Sequence, residues 1–163
     1  MKELQKKYFS FNQVVQKAYH FCAYQERCQQ EVRDKLYSWG LHKEEVESCI
    51  AHLITEGYLN EERFAKAFAG GKFRIKKWGK NKIINELKAK NISSYCIQKA
   101  MLEINDEDYL QTLQQIINSK SKEIKERNSL KKIHKMALYC ISRGFESNMV
   151  WDILKKQDDE NNL

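Results

Sequence analysis

Apolar positions along the chain recur three times with the same spacing. The first copy consists of Val32, Leu36, Leu41, Val46 and Ile50. A shift of 51 residues leads to Ile83, Leu87, Ile92, Ile97 and Met101, and a further 53 to Met136, Cys140, Phe145, Val150 and Leu154. The spacing in each copy is helical on both sides of one interruption. Each copy therefore predicts two helices joined by a tight turn.

The residue at each interruption is Gly40, Asn91 or Gly144. Glycine adopts the left-handed conformation freely and asparagine tolerates it, so these residues are predicted to end a helix. In a Schellman ending, the apolar residue that follows packs back on the residue five positions before it. It can also pack forward on the next helix. One apolar side chain in each copy is therefore predicted to hold both helices of its pair.

A further helix is predicted before each pair. Val14, Val15, Ala18, Tyr19 and Cys22 have helical spacing. Asn60 can cap the second such helix, because acids follow it where the helix dipole favours them. The third begins near Asp106. Sustained alternation of apolar and polar residues is missing from the sequence, so we predict no strand.

The pattern therefore predicts an all-α protein of three tandem three-helix modules. The predicted boundaries are residues 1–57, 58–104 and 105–163, with an N-terminal extension in the first module and an acidic tail in the third. About 50 residues bury little apolar surface alone, so neighbouring modules are expected to share a core. An elongated, curved, solenoid-like array follows.

The basic residues are segregated along the chain, whose net charge is +7. Residues 66–90 contain nine Lys or Arg and one acid, and residues 120–135 contain seven bases and two acids. Such segregation attracts a polyanion or an acidic protein groove, although a solvated helix face is the alternative interpretation. The candidate residues for binding a partner or DNA are Lys72, Arg74, Lys76, Lys77, Lys80, Lys82, Lys131, Lys132 and Lys135.

Aromatic residues and glycines interrupt the first of these basic stretches. Phe73 and Trp78 could stack on exposed bases while lysines neutralise phosphates, or they could pack in the core. Gly70 and Gly71 could allow close approach of a partner, or a kink. Gly79 is predicted to open the next helix.

The sequence favours a non-enzymatic protein without a cofactor. Common catalytic motifs are missing, and Gly70-Gly71-Lys72 lacks the other residues of a phosphate-binding loop. The nearest approach to a metal site is Cys49 with His52, which has no second ligand pair, so we expect no metal. The five cysteines lack framework spacing and are expected to be buried thiols. Because we find neither a secretion signal nor a membrane span, we expect a cytoplasmic protein. We also expect it to be a monomer.

Several motifs together resemble the RecX family of regulatory proteins. They are Glu31-Val32 through Leu36, Gly40-Leu41, the run Glu56-Gly57-Tyr58-Leu59-Asn60-Glu61-Glu62-Arg63-Phe64-Ala65, and Ile83-Ile84-Asn85-Glu86-Leu87. The resemblance spans roughly residues 18–102, and the third copy follows it more loosely. The chain departs from the family in having Cys28 where a serine cap is common, with Glu31 at the reciprocal capping position.

The resemblance implies a cytoplasmic modulator of RecA, the recombinase that polymerises on single-stranded DNA. Members of the family look like three-repeat helical proteins that lie in the groove of the RecA filament and commonly inhibit it, with a role in DNA repair, recombination and the SOS response. They often also bind single- or double-stranded DNA. The alternative function is a helix–turn–helix protein that reads sequence in duplex DNA. Such a reader needs Arg, Asn or Gln on one exposed helix, whereas the basic residues here are chiefly lysines dispersed over several segments.

Overall fold

The computed structural model describes residues 9–162, and within that range the chain forms nine α-helices and no strand. The first repeat contains α1 (Phe11–Tyr24), α2 (Gln29–Ser38) and α3 (Lys43–Thr55). The second contains α4 (Glu61–Lys76), α5 (Lys80–Ala89) and α6 (Ser94–Met101). The third contains α7 (Asp106–Glu123), α8 (Ser129–Ser142) and α9 (Ser147–Asn161). The predicted all-α fold is confirmed.

Polar side chains cap the beginnings of most helices. Asn60 Oδ1 accepts the Arg63 N–H at 2.8 Å, which fixes the start of α4 as predicted. Asn105 caps α7 in the same way, so α7 begins at the predicted residue, Asp106. The helix boundaries thus follow from local hydrogen-bond donors and acceptors in the sequence.

The turn inside each helix pair is the predicted Schellman ending. Gly40, Asn91 and Gly144 have φ angles of 91°, 59° and 98°. The N–H of the next residue donates to the carbonyl five positions earlier, for example from Ile92 to Leu87 at 3.1 Å. Leu41, Ile92 and Phe145 are all buried. The prediction of one apolar residue at each helix junction is confirmed.

The buried side chains form two separate hydrophobic cores. The first core belongs to α1–α3, and the second core extends through α4–α9. The expectation of a shared core is therefore correct for the second and third repeats and wrong for the first. The physical reason is that α1 contributes Val14, Ala18 and Cys22, which fill most of a core between α1, α2 and α3.

The first and second repeats exchange one buried residue across their junction. Cys28, at the start of α2, is 1% exposed and packs in the second core. Leu59, just before α4, is 2% exposed and packs in the first core. Polar contacts flank them: Arg63 Nε lies 2.5 Å from Glu26 Oε1, and Lys90 Nζ lies 3.2 Å from Glu31 Oε1.

The second and third repeats meet through backbone. The Gly79 N–H donates to the Arg143 carbonyl at 2.8 Å, and the Asn81 N–H donates to the Gly144 carbonyl at 2.9 Å. The N-terminus of α5 therefore abuts the C-terminus of α8, where unpaired amides and carbonyls satisfy each other. Tyr109 reinforces the junction, because its hydroxyl accepts from the Lys80 N–H at 2.9 Å and donates to Glu146 Oε2 at 2.5 Å.

The molecule exposes more surface than a compact protein of its mass. Its accessible area is 11223 Å² for 19.4 kDa, whereas a compact monomer of that mass exposes about 8500 Å². Separate cores and a large surface are typical of an extended helical array. Within the described residues, no helix is both long and apolar enough to cross a membrane.

Candidate partner-binding surface

The first basic stretch forms the turn between α4 and α5. We call residues 72–82 the basic turn. Helix α4 continues through Gly70 and Gly71 to Lys76, and Lys77 then takes the left-handed conformation with φ 56°. The Trp78 N–H closes the turn on the Lys72 carbonyl at 3.2 Å, and Gly79 caps α5 as predicted.

Lysines surround the half-buried Trp78. Lys72 Nζ lies 4.9 Å from the centroid of the indole ring, and Lys82 Nζ lies 4.5 Å from it. Lys72 Nζ also lies 5.3 Å from the Phe68 ring. Cation–π contacts of this kind contribute about 0.5–1 kcal/mol each at exposed sites, so they hold both lysines close to the indole ring. Of the two aromatic residues in doubt, Phe73 is buried in the second core, and Trp78 packs against that core while remaining half-buried.

The other cations of the basic turn have different surroundings. Arg74 is exposed and folds back over Gly70, where a Cβ atom would lie 2.7 Å from its guanidinium. The side chains of Lys76 and Lys77 are exposed, while their carbonyls accept from the Arg143 guanidinium. Lys80 is half-buried and pairs with Asp106 at 3.2 Å. Lys80 therefore joins the second repeat to α7.

The structure separates the second group of candidate residues from the basic turn. Lys131, Lys132 and Lys135 lie in the first half of α8, whereas the C-terminus of α8 contacts the turn. Twelve residues of helix separate Lys131 from Arg143, which is about 18 Å.

Acids partly neutralise this second group. Lys135 Nζ lies 3.1 Å from Glu126 Oε2, and Lys132 borders the same cleft as Asp158. The Asn128 N–H and then Lys135 lower the pKa of Glu126, so this carboxylate remains charged at neutral pH. Lys131 is the exposed cation that remains in the group.

Arg143 is the residue that sequence reasoning missed. Its guanidinium binds two carbonyls of the basic turn, and its own carbonyl accepts from Gly79. The sequence signal that could have found it is the pair of glycines Gly79 and Gly144. A Cβ atom at either position would lie within 2.6 Å of backbone atoms of the other repeat, so both glycines mark the place where the two repeats come close together. Arg143 thus positions the basic turn from the third repeat.

The structure brings together no metal ligands in the part of the chain it describes. Cys49 is fully buried, and the His52 ring contacts the Tyr19 hydroxyl instead. All five cysteines are buried and unpaired. Burial raises the pKa of Cys22 and Cys140 to about 11, so these thiols are protonated at neutral pH.

Comparison with known proteins identifies the family. The protein-family model described as "RecX, first three-helix domain" matches residues 15–53, and the family model "RecX, second three-helix domain" matches residues 60–101. The chain is 30% identical over 136 residues to "Regulatory protein RecX" of Lactobacillus johnsonii, a match that covers 83% of this chain and 50% of the relative. The chain belongs to the RecX family.

Other relatives and solved structures extend this result. RecX of Clostridium acetobutylicum is 27% identical over 140 residues, which are 83% of this chain and 64% of the relative. The crystal structure of RecX from Lactobacillus salivarius has a TM-score of 0.81 at 20% identity, covering 91% of this chain and 96% of that one. A second RecX crystal structure has a TM-score of 0.78 at 18% identity, covering 90% and 73%. The chain spans about half the length of the first curated RecX relatives that it matches.

The family models and the solved structures match different parts of the three repeats. The two RecX domain models cover helices of the first and second repeats only. The likeness to the Lactobacillus salivarius structure covers nine-tenths of the chain and so must include much of α7–α9. The third repeat therefore shares the fold of that RecX structure. The residue boundaries 57/58 and 104/105 remain predictions, and the exchange of Cys28 and Leu59 shows that side chains cross the first of them.

Proposed function

We propose that this chain binds RecA filaments on single-stranded DNA and inhibits their recombinase activity, in the cytoplasm and as a monomer. Through RecA, the chain would act as a regulator in DNA repair, recombination and the SOS response. It is supported by family membership, by the extended helical array and by the basic turn. The chain acts through contact with the filament and needs no cofactor.

The observation that carries the proposal is a cluster of cations without partners. Within residues 9–162, five cations of the basic turn form no ion pair with a carboxylate, and they are Lys72, Arg74, Lys76, Lys77 and Lys82. Their neighbours Lys66, Lys80 and Lys90 are all paired. A surface that leaves five adjacent cations unpaired creates a directed positive field, which favours an acidic protein groove or a phosphate backbone.

The second helices of the pairs carry few of the residues that a sequence reader needs. In a helix–turn–helix protein the second helix of the pair contacts base edges with its N-terminal residues. The corresponding helix of the first repeat, α3, begins Lys43-Glu44-Glu45, and its two carboxylates would face phosphates. In the second repeat, α6 has no arginine or asparagine and one glutamine, Gln98. In the third repeat, α9 has Asn148 near its beginning but no arginine. This composition favours filament binding over the reading of duplex sequence.

The salt dependence of DNA binding distinguishes the two polyanionic partners. If all five unpaired cations contact a free single strand, log affinity should fall with log salt with a slope of about −3.5. If they face an acidic groove of RecA, binding to free DNA should be weak and should have a shallower slope. We expect the second result, measured by fluorescence anisotropy of a labelled oligonucleotide over a range of salt concentrations.

The decisive test is RecA ATP hydrolysis on single-stranded DNA in the presence of this protein. The wild-type chain should reduce the rate, and the triple variant Lys72→Gln, Lys76→Gln, Lys82→Gln should lose most of that effect. Glutamine is unbranched, only one atom shorter than lysine and similar to it in helix propensity, so the variant should show unchanged circular dichroism. Lys80 is left intact because it pairs with Asp106.

A matched control separates the site from net charge. The variant Lys43→Gln, Lys155→Gln, Lys156→Gln removes the same charge from exposed positions on α3 and α9. It should inhibit as the wild type does. Equal loss in both variants would refute the assignment of the basic turn, and no effect of the wild-type chain on RecA would refute the function itself.

A further inference from the structure

A cavity of about 290 Å³ lies where α7, α8 and the basic turn meet. Lys77 lines it from the turn, Ser119, Lys120 and Glu123 line it from α7, and Tyr139 and Arg143 line it from α8 and its C-cap. Its volume is at the lower end of the range of about 300–1000 Å³ for small-molecule sites. The second and third repeats both contribute to it, so it exists only where they join.

Two of the cations in this cavity are held in place by the protein. Lys120 Nζ lies 4.4 Å from the centroid of the Tyr139 ring, and the Arg143 guanidinium carbon lies 5.9 Å from the same centroid. Arg143 is further fixed by its bonds to the carbonyls of the basic turn. Because one ring and two carbonyls orient both groups, an anion that binds them orders few side chains, which favours binding.

The charge of the cavity specifies the ligand. Three cations and one carboxylate, Glu123, leave a net charge of +2. A phosphate monoester carries about −1.5 to −2 at neutral pH, whereas a single carboxylate or a phosphodiester carries −1. Ser119 and Gln115 add neutral donors at the same wall, and phosphate has more acceptor oxygens than a carboxylate to receive them. We propose that this cavity binds a terminal phosphate, from a mononucleotide or from the 5′-phosphorylated end of a DNA strand.

The proposal goes beyond the proposed function and does not require RecA. Glu123 has a defined part in it, because its carboxylate lies 3.1 Å from Lys120 Nζ and competes with the ligand for that cation. Removal of Glu123 should therefore strengthen binding, while removal of Lys120 should weaken it. Arg143 is unsuitable for the first test because its loss would also disturb the junction of the repeats.

The experiment measures binding to the full chain, without RecA, by titration calorimetry and by amide chemical shifts. The probes are inorganic phosphate, thymidine, thymidine monophosphate, and one oligonucleotide with and without a 5′-phosphate. We expect Lys120→Gln to weaken binding of the phosphorylated probes about tenfold, because the loss of one hydrogen bond to a charged group raises the dissociation constant by about that factor. Glu123→Gln should bind them more tightly than the wild type, and Lys155→Gln, on an exposed position of α9, should match the wild type.

The probes also separate the two sources of the phosphate. Binding of inorganic phosphate and the mononucleotide would assign a free ligand, and preference for the 5′-phosphorylated oligonucleotide alone would assign a strand end. The proposal is overturned if neither phosphorylated probe binds better than its unphosphorylated counterpart, if Lys120→Gln and Lys155→Gln behave alike, or if Glu123→Gln weakens binding. Circular dichroism of each variant confirms that the fold is unchanged.

Discussion

Gly79 and Gly144 are required by the contact they make rather than by local flexibility alone. Gly79 has φ −74° and ψ 163°, which any residue adopts, yet its Cβ atom would lie 2.2 Å from the Gly144 carbonyl carbon. At Gly144 a Cβ atom would lie 2.3 Å from that of Lys82. Neither distance can be relieved by rotation of a side chain, because the positions of a carbonyl carbon and of a Cβ atom are fixed by the backbone.

Alanine substitutions at Gly79 and at Gly71 should have opposite effects on the stability of the protein. Gly79→Ala should destabilise the protein by about 1–3 kcal/mol, as overpacked sites do. Gly71→Ala should stabilise it by up to about 1 kcal/mol, because Gly71 lies within α4 and a Cβ atom there would have no neighbour within 4 Å. Urea unfolding checks both, and a Gly79→Ala variant as stable as Gly71→Ala would contradict the described junction.

The buried thiols should make stability depend on alkaline pH. Burial raises the pKa of Cys22 and Cys140 from 9.0 to about 11, so the folded protein retains protons that the unfolded chain releases. This stability is fully present below pH 9 and is lost as the pH rises toward 11. Cys140→Ala should show a shallower decline in the urea midpoint between pH 9 and pH 10 than the wild type. Parallel curves would show that Cys140 does not contribute.

At the scale of helices, each repeat depends on one apolar residue after the left-handed position. Ile92 is 7% exposed and lies between α5 and α6. Because a charge there would lose its hydration, Ile92→Asp should destabilise the protein by several kcal/mol.

Ser94→Asp is the control for Ile92→Asp. Ser94 is exposed in the first turn of α6, where the helix dipole favours an acid, so this variant should be as stable as the wild type or slightly more stable. Thermal unfolding distinguishes the two variants. Equal melting temperatures would exclude the proposed role of Ile92.

The sequence predicts helices well because their signals are local. Asn60, Asn91 and Asp106 each mark a boundary through hydrogen bonds or backbone angles within a few residues. The candidate site was harder to predict, because the pairing of Lys80 with Asp106 and the contact of Arg143 with the basic turn join residues 26 and 67 positions apart. No periodicity in a single sequence reports such distant contacts.

At the scale of the whole molecule, two cores of unequal size imply two levels of stability. Within residues 9–162, the first core contains eleven buried residues and the second contains twenty-two, and polar pairs flank their junction. A smaller core buries less apolar surface, so α1–α3 should open at a lower free energy than α4–α9. Such an opening would leave the basic turn and the phosphate cavity intact.

Native-state hydrogen exchange tests this division with two matched variants. Leu53 and Leu113 are each fully buried, the first in the first core and the second in the second core. Each change to alanine should cost about 2–5 kcal/mol. Leu53→Ala should accelerate exchange in α1–α3 only, whereas Leu113→Ala should accelerate it in both α4–α6 and α7–α9. Acceleration throughout the chain by Leu53→Ala would indicate a single cooperative unit.

The backbone junction between α5 and α8 constrains how the gene for such a protein can be recombined. A chimera that replaces only the third repeat must bring with it a glycine at position 144 and a carbonyl that can receive the Gly79 N–H. A chimera that exchanges residues on either side of the α3–α4 linker disturbs two polar pairs and the buried side chains of Cys28 and Leu59. Although the sequence repeats three times, the parts that can be exchanged between related proteins are therefore two. One is the first repeat, and the other is the second and third repeats together.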